Sequence, residues 1–220
     1  MIKIKKINKF EFLLSKIHNK NVLHVGCCGR VKKLDIKSEI NNYLHKFIVD
    51  NSNNGYGLDT DKGELQYLKD KGFKNLYFGD AEKISEINFD IKFDVIILGN
   101  MFNYFPNPGK FLNDTNSLLS QDGSIIITIE NYMTLKTMFK YIFFGRYPDF
   151  YHHCFSVNKN TLVTLVNKSG FKVDDYGYIF QGPDNFLIQS FRSKIANKIT
   201  QLFPNSEKYA DGYVIQISKN

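Results

Sequence analysis

Apolar residues gather along the chain into short runs, separated by polar stretches in which they recur at every third or fourth position. This alternation predicts strands and helices in turn. A helix is expected near Lys6 to His18, then a strand from Asn21 to Gly26, then a second helix near Ser38 to Val49 with Ile40, Leu44 and Phe47 on one face. A strand from Gly55 to Leu58 ends in Asp59, and the helix after it, Asp61 to Lys71, closes at Gly72 in the manner of a glycine cap. A third strand, Asn75 to Phe78, runs into Gly79-Asp80. The segment FDVIILGNMF holds a continuous apolar strand, the pattern of a strand covered on both faces. Asn107-Pro108 then offers an N-cap with proline in the first turn of a helix that buries Phe111, Leu112, Leu118 and Leu119. Gln121-Asp122-Gly123 reads as a turn into a fifth strand, Ser124 to Glu130.

From Asn131 to Cys154 the pattern changes to an aromatic-rich insertion with basic residues, so residues 131–156 form the expected lid or substrate insertion. Within it Leu135, Met138, Phe139, Ile142 and Phe143 repeat at helical spacing as one apolar stripe. Core packing or closure over a site explains such a stripe; a membrane-surface helix, supported by Lys136, Lys140 and Arg146, is the alternative. Ser156 is expected to cap a helix running to Lys168 and stopped by Gly170. Two last strands, Phe171 to Phe180 and Gly212 to Ser218, flank a helical stretch around Phe186 to Phe203. The whole predicts an α/β fold: a Rossmann-like, doubly wound, mostly parallel seven-stranded sheet with helices on both faces and a lid after strand five, in a single domain over residues 1–220.

Composition narrows the class. A chain of 220 residues with 43% hydrophobic and 23% charged residues can bury one substantial core. Its longest apolar runs are strand-length, far below the roughly 20 residues of a membrane span, and the start MIKIKKINKFEF lacks a secretory signal's apolar stretch. A cytoplasmic location follows as the expectation. Cys27 and Cys28 are adjacent and the cysteine count is odd, so neither a disulfide framework nor a spaced zinc pattern is expected, and no metal is required. The net charge of +7 is spread along the chain. It therefore argues for a basic surface or a phosphorylated small-molecule substrate rather than a nucleic-acid partner.

The candidate chemistry lies where strands end, the place at which open α/β sheets bind ligands. Gly26 and Gly29, with Cys27 between them, lie in the turn after the first strand, where missing side chains let backbone approach a ligand. Asp59, followed by Thr60, can accept both hydroxyl hydrogens of a ribose. Asp80 can accept from an adenine amino group while Ala81 offers its backbone N–H to the same ring. Together these describe an adenosine site. The backbone around Gly99 and Asn100 would pass beneath the amino-acid end of such a cofactor, with Phe102 and Tyr104 as walls. Lys136, Arg146 and Tyr147 are candidates, with Tyr104, for holding a substrate phosphate or carboxylate. His152 and His153 are candidates for a base that removes a hydroxyl proton, with Asp149 a weaker one. His24, inside a strand, reads as a buried imidazole with its hydrogen bonds satisfied.

NVLHVGCCGR, YGLDTD, YFGDAE, FDVIILGNMFNYFPNPGKFL and DGSIIITIEN resemble, in order and spacing, the successive motifs of class I S-adenosylmethionine-dependent methyltransferases. HHCFSVNKNTLVTLVNKSGFKV is similar to the segment that enters a helix in small-molecule methyltransferases of bacterial surface-polysaccharide gene clusters. The resemblance implies S-adenosylmethionine as cofactor, S-adenosylhomocysteine as product, and as acceptor a hydroxyl of a sugar or phosphorylated sugar-like intermediate. This sequence departs from the pattern at His24 in place of an acidic residue, at Cys28 and Arg30 in place of glycines, and at Asn103-Tyr104 in place of an acidic-histidine pair. A catalytically silent cofactor-binding protein of the same fold is the rival reading. A nucleic-acid methyltransferase is a weaker one, because the segment after the fourth strand, Gly99-Asn100-Met101-Phe102, lacks the Asn/Asp-Pro-Pro-aromatic signature.

Overall fold

The structure, a computed structural model, describes residues 5–29, 31, 43–145, 153–180, 198–203 and 205–220. Strand β1 is Lys5–Lys6, followed by α1 (Lys9–Ile17), β2 (Asn21–Val25), α2 (Leu44–Asn51), β3 (Asn54–Asp59), α3 (Lys62–Asp70) and β4 (Leu76–Phe78). After a 3-10 helix over Ala81–Glu86 come β5 (Phe93–Gly99), a 3-10 turn over Phe102–Tyr104, α4 (Pro108–Thr115) and β6 (Leu119–Glu130). The chain continues through α5 (Leu135–Phe144), α6 (Lys159–Lys168), β7 (Phe171–Ile179) and β8 (Gly212–Lys219).

The eight strands among the described residues form one sheet in the order β1-β7-β8-β6-β5-β2-β3-β4. The pairs among β2, β3, β4, β5 and β6 are parallel, and β8 runs antiparallel to both β6 and β7. Every one of the seven expected strands is present; the eighth, β1, pairs with β7 through two residues. It takes the place of the first turn expected for the leading helix, because Asn8 rather than Lys6 begins that helix: its side chain accepts from the Phe10 N–H.

The central strands carry unbroken apolar runs, such as Val95–Leu98 and Ile125–Ile127, because the sheet is covered on both sides. Ile96 and Leu98 of β5 join Phe111 and Leu112 of α4 and Leu162 and Val166 of α6. Val95 and Ile97 instead join Phe12, Leu13 and Ile17 of α1 and Leu44 and Ile48 of α2. Successive residues of a strand thus feed opposite cores, as a side-chain period of two requires. Each fully buried aliphatic side chain contributes on the order of 1.5–3 kcal/mol.

Three expectations are corrected. Gln121-Asp122-Gly123 is not a turn but part of β6, where the register against β5 shifts between Phe93 and Val95. A Cβ at Gly123 would stand 2.9 Å from the Phe93 carbonyl, so this irregularity needs a residue without a side chain. The cap of α6 is Asn158, whose side chain accepts from the Thr161 N–H at 3.1 Å, not Ser156. Asn158→Ala is expected to cost about 1 kcal/mol in a urea unfolding titration. Core packing does not explain the stripe on α5, since no residue of that helix is buried. The second expected helix is seen from Leu44, its first residues lying outside those described, as does most of the stretch expected near Phe186 to Phe203.

Candidate functional site

Between β2 and β5 the chain reverses its direction of progress across the sheet: it moves outward through β3 and β4 and returns to lay β5 on the other side of β2. At such a reversal open α/β sheets have the crevice in which ligands bind, at the carboxyl ends of the neighbouring strands. Gly26 opens the loop after β2 with φ +74°, a conformation that side chains rarely allow. A Cβ there would meet Met101 Cγ at 2.5 Å, so the loops after β2 and β5 face each other across this glycine. Gly29, at φ +45°, is exposed in the same loop.

Asp59, at the end of β3, ties the crevice together. Its Oδ2 accepts the Cys28 N–H at 2.8 Å and its Oδ1 accepts the Asp61 N–H at 3.0 Å. A carboxylate has about four lone-pair sites, so each oxygen retains acceptor capacity, and the side chain is half-exposed. Thr60 beside it is exposed. Asp80, after β4, is exposed and caps the following 3-10 helix through Oδ1 to the Glu82 N–H at 2.9 Å, with Ala81 buried behind it. Asn100 adopts φ +57° after β5 and is held by its N–H to the Thr128 carbonyl at 3.1 Å, while the Thr128 hydroxyl donates to Asn100 Oδ1 at 3.1 Å. Gly99 packs the other way: a Cβ would stand 2.7 Å from Leu44 and 3.4 Å from His24 Nε2.

Cys27 and Cys28 are buried free thiols. With Asp59 they bring three ligand atoms within 4.8 Å of one another, which gives this loop the donor set for a soft cation. A hydrogen bond with Cys27 and burial push the Cys28 thiol well up, so Cys28 serves the loop as a neutral packing group. The Tyr43 hydroxyl donates to the Cys27 carbonyl and fixes the loop from beneath.

The second half of the site was not legible as a unit. His153 returns from the insertion to lie on Tyr104, with ring centroids 4.5 Å apart, and its Nδ1 is hydrogen-bonded to the Tyr132 hydroxyl. Asn103 Nδ2 donates to the same hydroxyl at 3.1 Å. The Cys154 N–H donates to the Asn103 carbonyl at 2.8 Å, locking the returning strand to the turn after β5. Burial pushes the Tyr132 phenol up to about 12, against the opposing effect of the Asn103 bond, so it stays protonated at neutral pH. Asn103 is buried and its Oδ1 has no partner, an acceptor with nothing yet to accept. Tyr132 and Asn103 are not among the expected site residues; the aromatic density near Asn131 and the departure at Asn103-Tyr104 were the signals that pointed to the region.

Lys136 stands exposed on α5 and joins none of these contacts. His152, Arg146, Tyr147 and Asp149 lie outside the described residues. His24 is buried, but its Nδ1 has no hydrogen-bond partner, which corrects the expectation of a satisfied imidazole. An open depression of about 510 Å³, lined in part by Lys46, Asp50, Asn53 and Lys71, sits at the amino ends of β3 and β4, on the rim opposite these residues.

The family model described as "Methyltransferase domain" matches residues 9–176 of the chain. The protein belongs to this methyltransferase family. Comparison with functionally curated proteins gives no match. Among solved structures, the methyltransferase resembles an S-adenosylmethionine-dependent methyltransferase from Archaeoglobus fulgidus at 17% identity and a TM-score of 0.55, with 96% of this chain and 95% of that one covered. It resembles another from Clostridium acetobutylicum at 12% identity and a TM-score of 0.55, covering 100% and 93%. A third, the plantazolicin methyltransferase BamL, solved with a triazolic desmethylPZN analogue and S-adenosylhomocysteine, aligns at 17% identity and a TM-score of 0.53 over 90% of this chain and 75% of that one. At these identities the likeness speaks for the fold, and the methyltransferase shares it along nearly its full length.

Proposed function

We propose that this methyltransferase moves the methyl group of S-adenosylmethionine to a hydroxyl oxygen of a small molecule, a sugar or phosphorylated sugar-like intermediate of surface glycan synthesis. The observation that carries the cofactor reading is the convergence of the Gly26 turn and Asp59 on one crevice, with Asp80 at the end of the next strand. The fit follows from the residues present: a turn without a side chain for close backbone approach, a half-exposed carboxylate with lone pairs to spare for two ribose hydroxyls, and an exposed carboxylate beside buried Ala81 for the adenine. The glycan acceptor rests on the motif resemblance, and the basic surface favours a phosphorylated one.

When bound, the cofactor supplies an electrophilic methyl on a sulfonium centre. The protein's own part is to hold an acceptor hydroxyl in line and take its proton. In the tautomer whose Nδ1–H donates to Tyr132, the lone pair of His153 lies on Nε2, the atom that would receive that proton. Tyr132, itself held by Asn103, fixes the ring's orientation, and the free Oδ1 of Asn103 can accept from the substrate. The departure at Asn103-Tyr104 from the family pattern is thereby compensated: the imidazole comes from the insertion rather than from the strand end.

The test is calorimetric titration with S-adenosylmethionine. The wild-type chain is expected to bind, and Asp59→Ala to bind at least tenfold more weakly, because it loses charge-assisted bonds to the ribose. Absence of binding by the wild type sinks the methyltransferase mechanism. Binding without turnover on any glycan intermediate favours the silent cofactor-binding protein, a reading to which Met101 packed over Gly26 lends support.

A further inference from the structure

Among the described α-helices, α5 alone has no buried residue. Phe139, Tyr141, Ile142, Phe143 and Phe144 are each between 47% and 67% exposed, and Met133 just before the helix is 57% exposed. Single apolar residues on a surface are ordinary, but an unbroken group of this size marks a contact surface. Successive steps of about 100° along a helix place Met138, Ile142, Leu135, Phe139 and Phe143 on one arc of about 140°. Lys136 and Lys140, both exposed, adjoin the Phe143 edge of that arc.

No acidic residue occurs between Asn131 and Gly145, and the chain carries a net charge of +7. An apolar, aromatic face whose only charged neighbours on the helix are lysines matches an anionic lipid surface: the rings suit the headgroup level and lysine stems reach outward to phosphates. A second copy of the chain fits less well. A two-fold contact through α5 would bring the lysines of both copies together without an acid in either helix. The helix is also preformed. Thr134 Oγ1 accepts from the Thr137 N–H at 3.1 Å, and Gly145, left-handed at φ +59°, closes the carboxyl end through its N–H to the Tyr141 carbonyl at 3.0 Å.

We propose that α5 docks this protein on an anionic membrane surface, lying in the headgroup plane with its aromatic arc toward the acyl chains and Lys136 and Lys140 against lipid phosphates. The docking does not depend on the reaction proposed above. If both hold, the acceptor is one presented at the membrane, because α5 begins three residues after Tyr132, the residue bonded to His153.

The test is cosedimentation of the full chain with vesicles of phosphatidylcholine, with or without about one-third phosphatidylglycerol. The wild type is expected to pellet with the anionic vesicles, and far less in high salt. Ile142→Ser with Phe143→Ser alters exposed positions only and is expected to lower partitioning by about tenfold at unchanged circular dichroism. Lys136→Glu with Lys140→Glu should reduce binding to the anionic vesicles specifically. Failure of the wild type to pellet with anionic vesicles overturns the proposal, as does undiminished binding by the serine variant. A lipid-free dimer that the serine variant dissolves also overturns it, in favour of self-association.

Discussion

Alanine in place of His153 is expected to lower turnover by about 10²–10⁴-fold while leaving the affinity for S-adenosylmethionine unchanged. The separation follows from geography. His153 touches Tyr104 and Tyr132, whereas the groups suited to the adenosyl moiety stand at the ends of β2, β3 and β4. Tyr132→Phe removes the oxygen that holds Nδ1 but keeps the ring, so it should cost about tenfold. The comparison discriminates a base from a packing residue: a packing role predicts that phenylalanine at 132 is silent and that His153→Ala lowers stability as much as activity. Full activity in both His152→Ala and His153→Ala would remove a histidine base from the reaction.

What the sequence disclosed, and what it withheld, divides along a physical line. Strands β2, β5 and β6 were readable because burial on two faces demands consecutive apolar residues, and Asn107 was readable because helix starts need a side-chain acceptor. Strand β1 was not, because two lysines at a sheet edge carry no hydrophobic signal and owe their conformation to the β7 neighbour. The stripe on α5 was visible, yet periodicity reports which residues share a face and not what covers it. In the crevice, strand-end glycine and aspartate residues were found by their order. The Tyr132–His153–Asn103 group escaped because its members come from three separate segments, joined by the bonds of Tyr132 and by that of Cys154 back to Asn103. His45 escaped for a related reason: a lone histidine near the start of a helix reads as a polar surface residue until the fold buries it.

That burial carries the other large effect, a loss of stability on acidification between about pH 7 and pH 4. His45 is 0% exposed and neither of its ring nitrogens has a hydrogen-bond partner. Burial lowers its pKa from 6.5 to about 4. His24 stacks on it at 5.5 Å and is pushed well down by its own burial, then by the charge His45 would carry and by Lys9. In the unfolded chain both imidazoles titrate near their ordinary value, so below about pH 6.5 the unfolded state holds more protons than the folded one. Stability therefore rises with pH through this window; it is complete above it and drains away as the pH falls toward the folded values. For His45 alone the difference corresponds to about 3 kcal/mol, with His24 adding in the same direction. Urea unfolding between pH 7.5 and 4.5 should show the slope, and His45→Phe should flatten it. The new ring can stack on Phe73, now 5.7 Å away, and it abolishes two buried nitrogens without partners, so the variant should be no less stable at neutral pH. A flat wild-type profile, or a variant as acid-sensitive as the wild type, would show that these imidazoles find partners in the folded chain. Because His45 Cε1 and Cys27 Sγ both press on the Cα side of Gly57, at 3.0 and 2.7 Å from where a Cβ would be, a charged imidazole here would disturb the base of the loop after β2. Cofactor affinity should accordingly decline with falling pH before the chain as a whole unfolds.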